Sequence, residues 1–258
     1  MNEHNILVPT LEGTHIPATL VAEEKLGSRA CILSHGIFVS RSENGRFDRL
    51  GQRLSFAGVP NIRFDLSGHG ESETPSIRST VAGMADEIAY VYGTLRAQGA
   101  SEIDIVASSF SGALLSILMA TKSELAFSKV IFLNPVLDFD NVFLSPEMPE
   151  MAELFSPERI SGALKTGAFY PVPHFCMSRA FLLEMMSIDL PRLYASIEQA
   201  HLVLHGASDE LVSIQRTRQI VKRNGNSTWI EVAGAKHAFN TAEHEEIAHR
   251  HVIDWLMA

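Results

Sequence analysis

Cysteine is nearly absent from this chain of 258 residues: Cys31 and Cys176 are the only two. They make neither a metal-ligand spacing nor a disulfide framework, which points to a reducing compartment and a cytoplasmic home. Positive charge is also short. Lys and Arg total 21 against 30 Asp and Glu, a formal net charge of −9. That balance argues against nucleic acid and anionic membrane surfaces as partners. No apolar run is long enough to span a bilayer. The opening Met1-Asn2-Glu3-His4-Asn5 has no basic segment followed by an apolar one, so no secretory signal is expected. Internal repeats and low-complexity tracts are missing too. The length suits one α/β domain with an insertion and is ample for a sizeable core.

What is present is an alternation of strand-like and helix-like patterns, the signature of a mostly parallel sheet with helices on both faces. Asn5–Pro9 and Ile16–Ala22 read as an opening antiparallel pair around Glu12-Gly13. Ala30–Ser34, Asn61–Leu66, Lys129–Leu133, His201–His205 and Ser227–Val232 read as strands. Arg46–Ala57, Thr80–Gln98, Ser213–Arg223 and Ala242–Met257 carry helical spacing. Between Val136 and Ser196 the alternation fails and prolines recur. Residues 136–196 are therefore expected to form an inserted cap on a core made of residues 1–135 and 197–258.

One stretch carries the chemistry. In Ile103-Asp104-Ile105-Val106-Ala107-Ser108-Ser109-Phe110-Ser111-Gly112-Ala113 an apolar strand stops at small residues around a serine, and a helical pattern begins at once. That is the layout of a nucleophile elbow. The register favours Ser109, with Ala107 and Ser111 in the outer places usually held by glycine; Ser108 and Ser111 are rival nucleophiles. The bland alternative is a serine-rich helix cap.

A serine nucleophile needs a base, and the base needs an orienting acid. Asp209 follows the strand that ends near His205, and His237 lies in the small-residue loop Gly234-Ala235-Lys236-His237 after the next strand. Serine, acid, histidine is the chain order of this chemistry. Asp138 and Asp140 are rival acids. Donors for an oxyanion are expected from the Phe110 amide and, in the loop Ser34-His35-Gly36-Ile37, from the Ile37 amide. His35 reads as structural. The glycine-rich turn at Ser67-Gly68-His69-Gly70 lacks phosphate-loop spacing, and His69 is not expected to be catalytic. His244, His249 and His251 give no ligand set, so neither metal nor cofactor is expected.

On His35-Gly36, Asp65-Leu66-Ser67-Gly68-His69-Gly70-Glu71-Ser72, His205-Gly206-Ala207-Ser208-Asp209 and Gly234-Ala235-Lys236-His237-Ala238-Phe239, the chain resembles α/β-hydrolases of the serine aminopeptidase-like group. Feruloyl and cinnamoyl esterases and monoglyceride lipases belong to that group. The resemblance implies the α/β-hydrolase fold and a serine hydrolase acting on a small-molecule ester. An Ala-x-Ser-x-Ser elbow is also similar to that of acyl-carrier-protein thioesterases of bacterial luminescence.

The expectation is hydrolysis of a carboxylic ester with an apolar acyl or aryl group through an acyl-enzyme. A thioesterase or acyltransferase using the same residues is the alternative, and a non-catalytic ligand-binding protein on the same scaffold is a third. Met148, Met151, Phe155, Phe169, Tyr170, Phe175, Met177, Phe181, Met185, Met186 and Tyr194 are candidates either for an apolar pocket or for the cap's own core. A peptidase would need cap carboxylates, for which Glu147, Glu150 and Glu153 are the candidates. Arg159, Lys165, Arg179 and Arg192 are candidate anion contacts.

Overall fold

The computed structural model describes residues 1–24 and 26–258. Among the described residues eight strands form one sheet: β1 (Asn2–Pro9), β2 (His15–Ala22), β3 (Arg29–Ser34), β4 (Asn61–Phe64), β5 (Glu102–Ser108), β6 (Val130–Leu133), and, later in the chain, β9 (His201–Gly206) and β10 (Ser227–Val232). Their order across the sheet is β1-β2-β4-β3-β5-β6-β9-β10. β1 and β2 pair antiparallel, as do β2 and β4. From β4 onward every pairing is parallel. β7 (Ala168–Val172) and β8 (Phe175–Ser178) form a separate antiparallel hairpin.

The central strands are apolar on both faces because helices cover both. Alternate residues point to opposite sides. Ala30, Ile32, Ile105, Ala107, Val130 and Phe132 enter one core, while Cys31, Leu33, Val106, Ile131 and Leu133 enter the other. The second core is closed by α1 (Arg46–Phe56) through Phe47, Leu50 and Leu54, and by α9 (Ala242–Met257) through Ala248, Val252 and Leu256. Burial of each large side chain contributes about 1.5–3 kcal/mol. The first core lies under α2 (Val81–Ala97), α3 (Phe110–Thr121) and α8 (Ile214–Val221). Thr80 caps α2 by accepting from the Gly83 amide at 2.9 Å.

Between β6 and β9 the chain makes a π-helical turn at Asp140–Leu144, then α4 (Pro149–Leu154), α5 (Pro157–Thr166), the β7–β8 hairpin, α6 (Arg179–Ser187) and α7 (Leu190–Ala195). Proline stands in the first turn of α4, α5 and α7, where its missing N–H costs nothing and its fixed φ favours helix. α6 packs on α2, and α7 packs on α3 and α8. Phe110, at the start of α3, packs against Phe139, Phe143 and Phe181, which ties this segment to the first core.

Candidate active site

β5 ends at Ser108, and the next residue turns sharply. Ser109 has φ 53° and ψ −115°, a conformation that costs a non-glycine residue about 1–3 kcal/mol unless its surroundings hold it. Three backbone bonds do so. The Ser109 amide donates to Leu133 O at 2.8 Å, and its carbonyl accepts from Gly112 N and Val136 N, each at 2.9 Å. Small neighbours make room. A Cβ on Gly112 would lie 2.5 Å from Pro135 Cβ, and one on Gly36 would lie 2.9 Å from Ser109 Cβ.

Of the three elbow serines, Ser109 meets a histidine ring. Ser109 Oγ lies 2.9 Å from His237 Nε2. Ser111 Oγ is buried, donates to His35 O at 2.5 Å and lies 2.7 Å from Ser34 Oγ. Ser108 Oγ accepts from Arg46 Nη2 at 2.8 Å. The two rivals are thus spent on fixing neighbouring loops.

His237 Nδ1 lies 2.8 Å from Asp209 Oδ2. The other carboxylate oxygen accepts from the Leu211 and Val212 amides, each at 2.9 Å. Burial pushes the Asp209 carboxyl up, but His237 and His205 beside it more than offset this and hold it well below the usual carboxylate range. A carboxylate fixed on Nδ1 leaves Nε2 bare toward Ser109, the tautomer a general base requires. The rival acids are elsewhere. Asp138 Oδ2 pairs with Arg216, while its Oδ1 accepts from the Asp140 and Asn141 amides.

Ile37 and Phe110 contribute backbone. The amide of Ile37 belongs to the same trans peptide as the Gly36 carbonyl, which accepts from His35 Nδ1 at 2.7 Å. With that oxygen held, the N–H points the opposite way. Phe110 opens α3, so its amide is one of the free donors at a helix N-terminus. Neither amide donates to a protein acceptor among the described residues.

His35 and His69 are committed to backbone. His35 Nε2 accepts from Leu66 N, and His69 Nε2 accepts from Phe38 N, each at 3.0 Å. Burial lowers the pKa of His35 and pushes that of His69 down to about 3. Both rings are therefore neutral acceptors that staple loops.

A cavity of about 800 Å³ opens beside Ser109 and His237. Val136, Val142, Phe143, Met151 and Leu154 give it an apolar wall, and Arg49 and Glu245 stand among its charged lining residues. Of the methionines and aromatics singled out in the sequence, Met151 alone lines it among the described residues. Phe155, Phe175, Met177, Phe181, Met185 and Tyr194 are instead core. Glu147, Glu150, Glu153, Arg159, Lys165, Arg179 and Arg192 are absent from its lining. Among the described residues no cluster of three or more His, Cys, Asp or Glu side chains is placed to hold a metal. Nor is any helix long and apolar enough to cross a membrane.

Some supporting residues escaped the sequence reading. Asn134, at φ 43°, accepts from Gly206 N at 2.7 Å and donates to His237 O, joining the strand before Asp209 to the His237 loop. Its place just after a strand and before Pro135 was the available signal. His205 Nε2 reaches Asp209 Oδ2 at 3.1 Å. Glu210 Oε2 accepts from the His237 amide at 3.2 Å.

Comparison with known proteins agrees with this architecture. The structure of Est1E from Butyrivibrio proteoclasticus with ferulic acid bound superposes with a TM-score of 0.77 at 19% identity, over 98% of this chain and 100% of that one. An esterase from Exiguobacterium antarcticum superposes with a TM-score of 0.73 at 16% identity, over 99% and 100%. A bromoperoxidase from Bacillus anthracis does so with a TM-score of 0.73 at 17% identity, again over 99% and 100%. At such identities the likeness is one of fold, and the fold is α/β, a mostly parallel central sheet flanked by helices. The family model described as "Alpha/beta hydrolase family" matches residues 31–250. Because that match spans most of the sequence and runs through the loops of Ile37, Ser109, Asp209 and His237, the chain belongs to the alpha/beta hydrolase family.

Proposed function

We propose that this protein is a serine hydrolase that cleaves a carboxylic ester with an apolar acyl or aryl group through an acyl-enzyme. The observation that carries the reading is the chain of hydrogen bonds from Ser109 through His237 to Asp209, at 2.9 and 2.8 Å, at a serine held in a sharp turn of positive φ.

Ser109 Oγ attacks the ester carbonyl while His237 Nε2 takes its proton. Asp209 holds the imidazole tautomer and stabilises the imidazolium. The carbonyl oxygen becomes an oxyanion that accepts from the Ile37 and Phe110 amides; losing one such donor typically costs about 10²–10³ in turnover. The tetrahedral adduct collapses and the leaving alcohol takes the proton from His237. Water, deprotonated by His237, then attacks the acyl-Ser109 carbonyl; the adduct collapses, Ser109 Oγ leaves with the proton returned by His237, and the carboxylic acid is released.

Residues 136–196 serve as the cap on the core of residues 1–135 and 197–258. The apolar wall made by Val142, Phe143, Met151 and Leu154 supports placing the acyl group against that segment. The likeness to Est1E, whose structure holds ferulic acid, supports including aryl esters among the substrates tried. The substrate is a small-molecule ester, and the reaction uses no cofactor.

The test is turnover of p-nitrophenyl butyrate by wild-type protein and by Ser109→Ala, with circular dichroism as the check on folding. The reading expects turnover in the first and a loss of at least 10³-fold in a folded second, in keeping with the usual effect of removing such a nucleophile. Equal turnover in the two would overturn it.

A further inference from the structure

A buried ion pair touches three of the four loops that build the site, and the chemistry above does not use it. Glu43 is 6% exposed and Arg46 7%. Glu43 Oε1 accepts from the Gly36 amide at 2.7 Å, and Oε2 pairs with Arg46 Nη2. That same nitrogen donates to Ser108 Oγ at 2.8 Å. The Arg46 guanidinium carbon lies 5.6 Å from the Phe239 ring centroid. Gly36 precedes Ile37, Ser108 precedes Ser109, and Phe239 is two residues past His237.

Stability alone does not account for the pair. A buried ion pair adds little or nothing over a well-packed apolar pair, whereas stranding one partner is costly. The backbone here is also unusual. Glu43, Asn44 and Gly45 take φ of 48°, 56° and 86° in succession, and non-glycine residues in that region store strain that tends to collect at functional sites. The carboxylate is close to the reacting atoms as well. A Cβ on Gly36 would lie 3.4 Å from Ser109 Oγ and 3.5 Å from Glu43 Oε1, so the two flank one point. A lone negative charge there opposes a developing oxyanion, and Arg46 offsets it.

We propose that Glu43 and Arg46 are positioning residues of the reaction: the pair fixes the Gly36–Ile37 peptide against Ser109 and keeps the oxyanion region free of uncompensated negative charge. This rests on the reading of Ser109 as nucleophile and of the Ile37 amide as an oxyanion donor. Burial pushes the Glu43 carboxyl up, and Arg46 together with the Gly36 amide brings it below its usual value, so the pair is ionic.

The test uses four variants of the full chain with p-nitrophenyl butyrate: Glu43→Leu, Glu43→Gln, Arg46→Met and Arg46→Lys. Glu43→Leu removes the acceptor of the Gly36 amide, and Arg46→Met removes the cation. Each is expected to lower kcat about 30- to 100-fold, the scale of a small misplacement of catalytic groups, with KM within about threefold. Glu43→Gln keeps an acceptor for Gly36 and recovers about tenfold over Glu43→Leu; Arg46→Lys keeps the charge and recovers similarly over Arg46→Met. The Ki of a phenyl trifluoromethyl ketone, which adds to the serine as a tetrahedral adduct, should weaken in step with kcat/KM. A merely structural role would lower the melting temperature without this split.

Turnover within threefold of wild type in folded Glu43→Leu or Arg46→Met, or a loss confined to KM, overturns the proposal. Should those two not fold, Glu43→Gln and Arg46→Lys decide, and kcat within about twofold of wild type in both overturns it. Wild-type protein with no ester turnover and no label on Ser109 overturns the hydrolase reading itself; an active wild type with unchanged variants overturns the positioning role alone.

Discussion

Substituting Gly36 by alanine puts a single methyl between the oxyanion loop and the nucleophile. Gly36 is not among the residues of positive φ, so the backbone tolerates alanine and the effect comes from contact alone. The new Cβ would lie 2.9 Å from Ser109 Cβ, closer than real Cβ contacts, and 3.4 Å from Ser109 Oγ. Ser109 has little room to yield. Its amide is held by Leu133 O, and its carbonyl by Gly112 N and Val136 N. The loop therefore backs away by several tenths of an ångström, pulling on the bonds from Gly36 N to Glu43 and from His35 to Gly36 O. A displacement of 1 Å between reacting groups costs about 10²-fold in rate, so a shift of about half that costs about 10-fold, equivalent to about 1.4 kcal/mol of barrier. Overpacking of this kind also costs about 1–3 kcal/mol of stability. The assay is kcat and KM for p-nitrophenyl butyrate beside a thermal melt. The expected result is a kcat about 10-fold lower with KM little changed. A folded Gly36→Ala with kcat within threefold of wild type would refute the placement of the oxyanion donor beside Ser109.

Two further outcomes follow from the same geometry. Asp209→Asn removes the acceptor that sets the His237 tautomer and should lower kcat about 10⁴-fold in a protein that still folds; an effect below tenfold, measured by ester turnover, would assign the acid elsewhere. Burial pushes His249 down to about 4, whereas an unfolded histidine titrates near 6.5. The unfolded chain then binds a proton that the native chain does not, so stability is lost as pH falls from about 6.5 toward 4. His249→Leu should shrink the drop in unfolding free energy between pH 7.5 and pH 5 by about 2 kcal/mol; an unchanged drop in guanidinium titrations would show that His249 is protonated in the native state.

Much of the sheet was legible because its signals are local. Short apolar runs are followed closely by glycine, asparagine or proline, and the helix over Ala242–Met257 and the strand over Ser227–Val232 fall at the boundaries read from the pattern. The turn at Ser109 was legible for the same reason: a strand, a few small residues and a helix follow one another within a dozen positions. Residues 136–196 were not. Their prolines read as breaks in a pattern, yet three of them sit in the first turn of short helices, behind caps such as Ser156 and Asp189. Elements of six to ten residues are too short to show a period. The methionines and aromatics of that stretch fit a pocket and a core equally well, and only packing distinguishes them: Phe181 is buried among aromatics, while Met151 faces the cavity. Arg46 and Asn134 act across the fold. Arg46 meets Ser108 over 62 positions and Asn134 meets His237 over 103, and no local pattern encodes such partners.

The proposed chemistry stands or falls on Ser109 being an activated nucleophile. The direct measurement is labelling with a fluorophosphonate, followed by peptide mapping of the modified residue. A single label on Ser109 is expected, abolished by Ser109→Ala and slowed by Asp209→Asn. Label on Ser108 or Ser111, or none on folded protein, would contradict it.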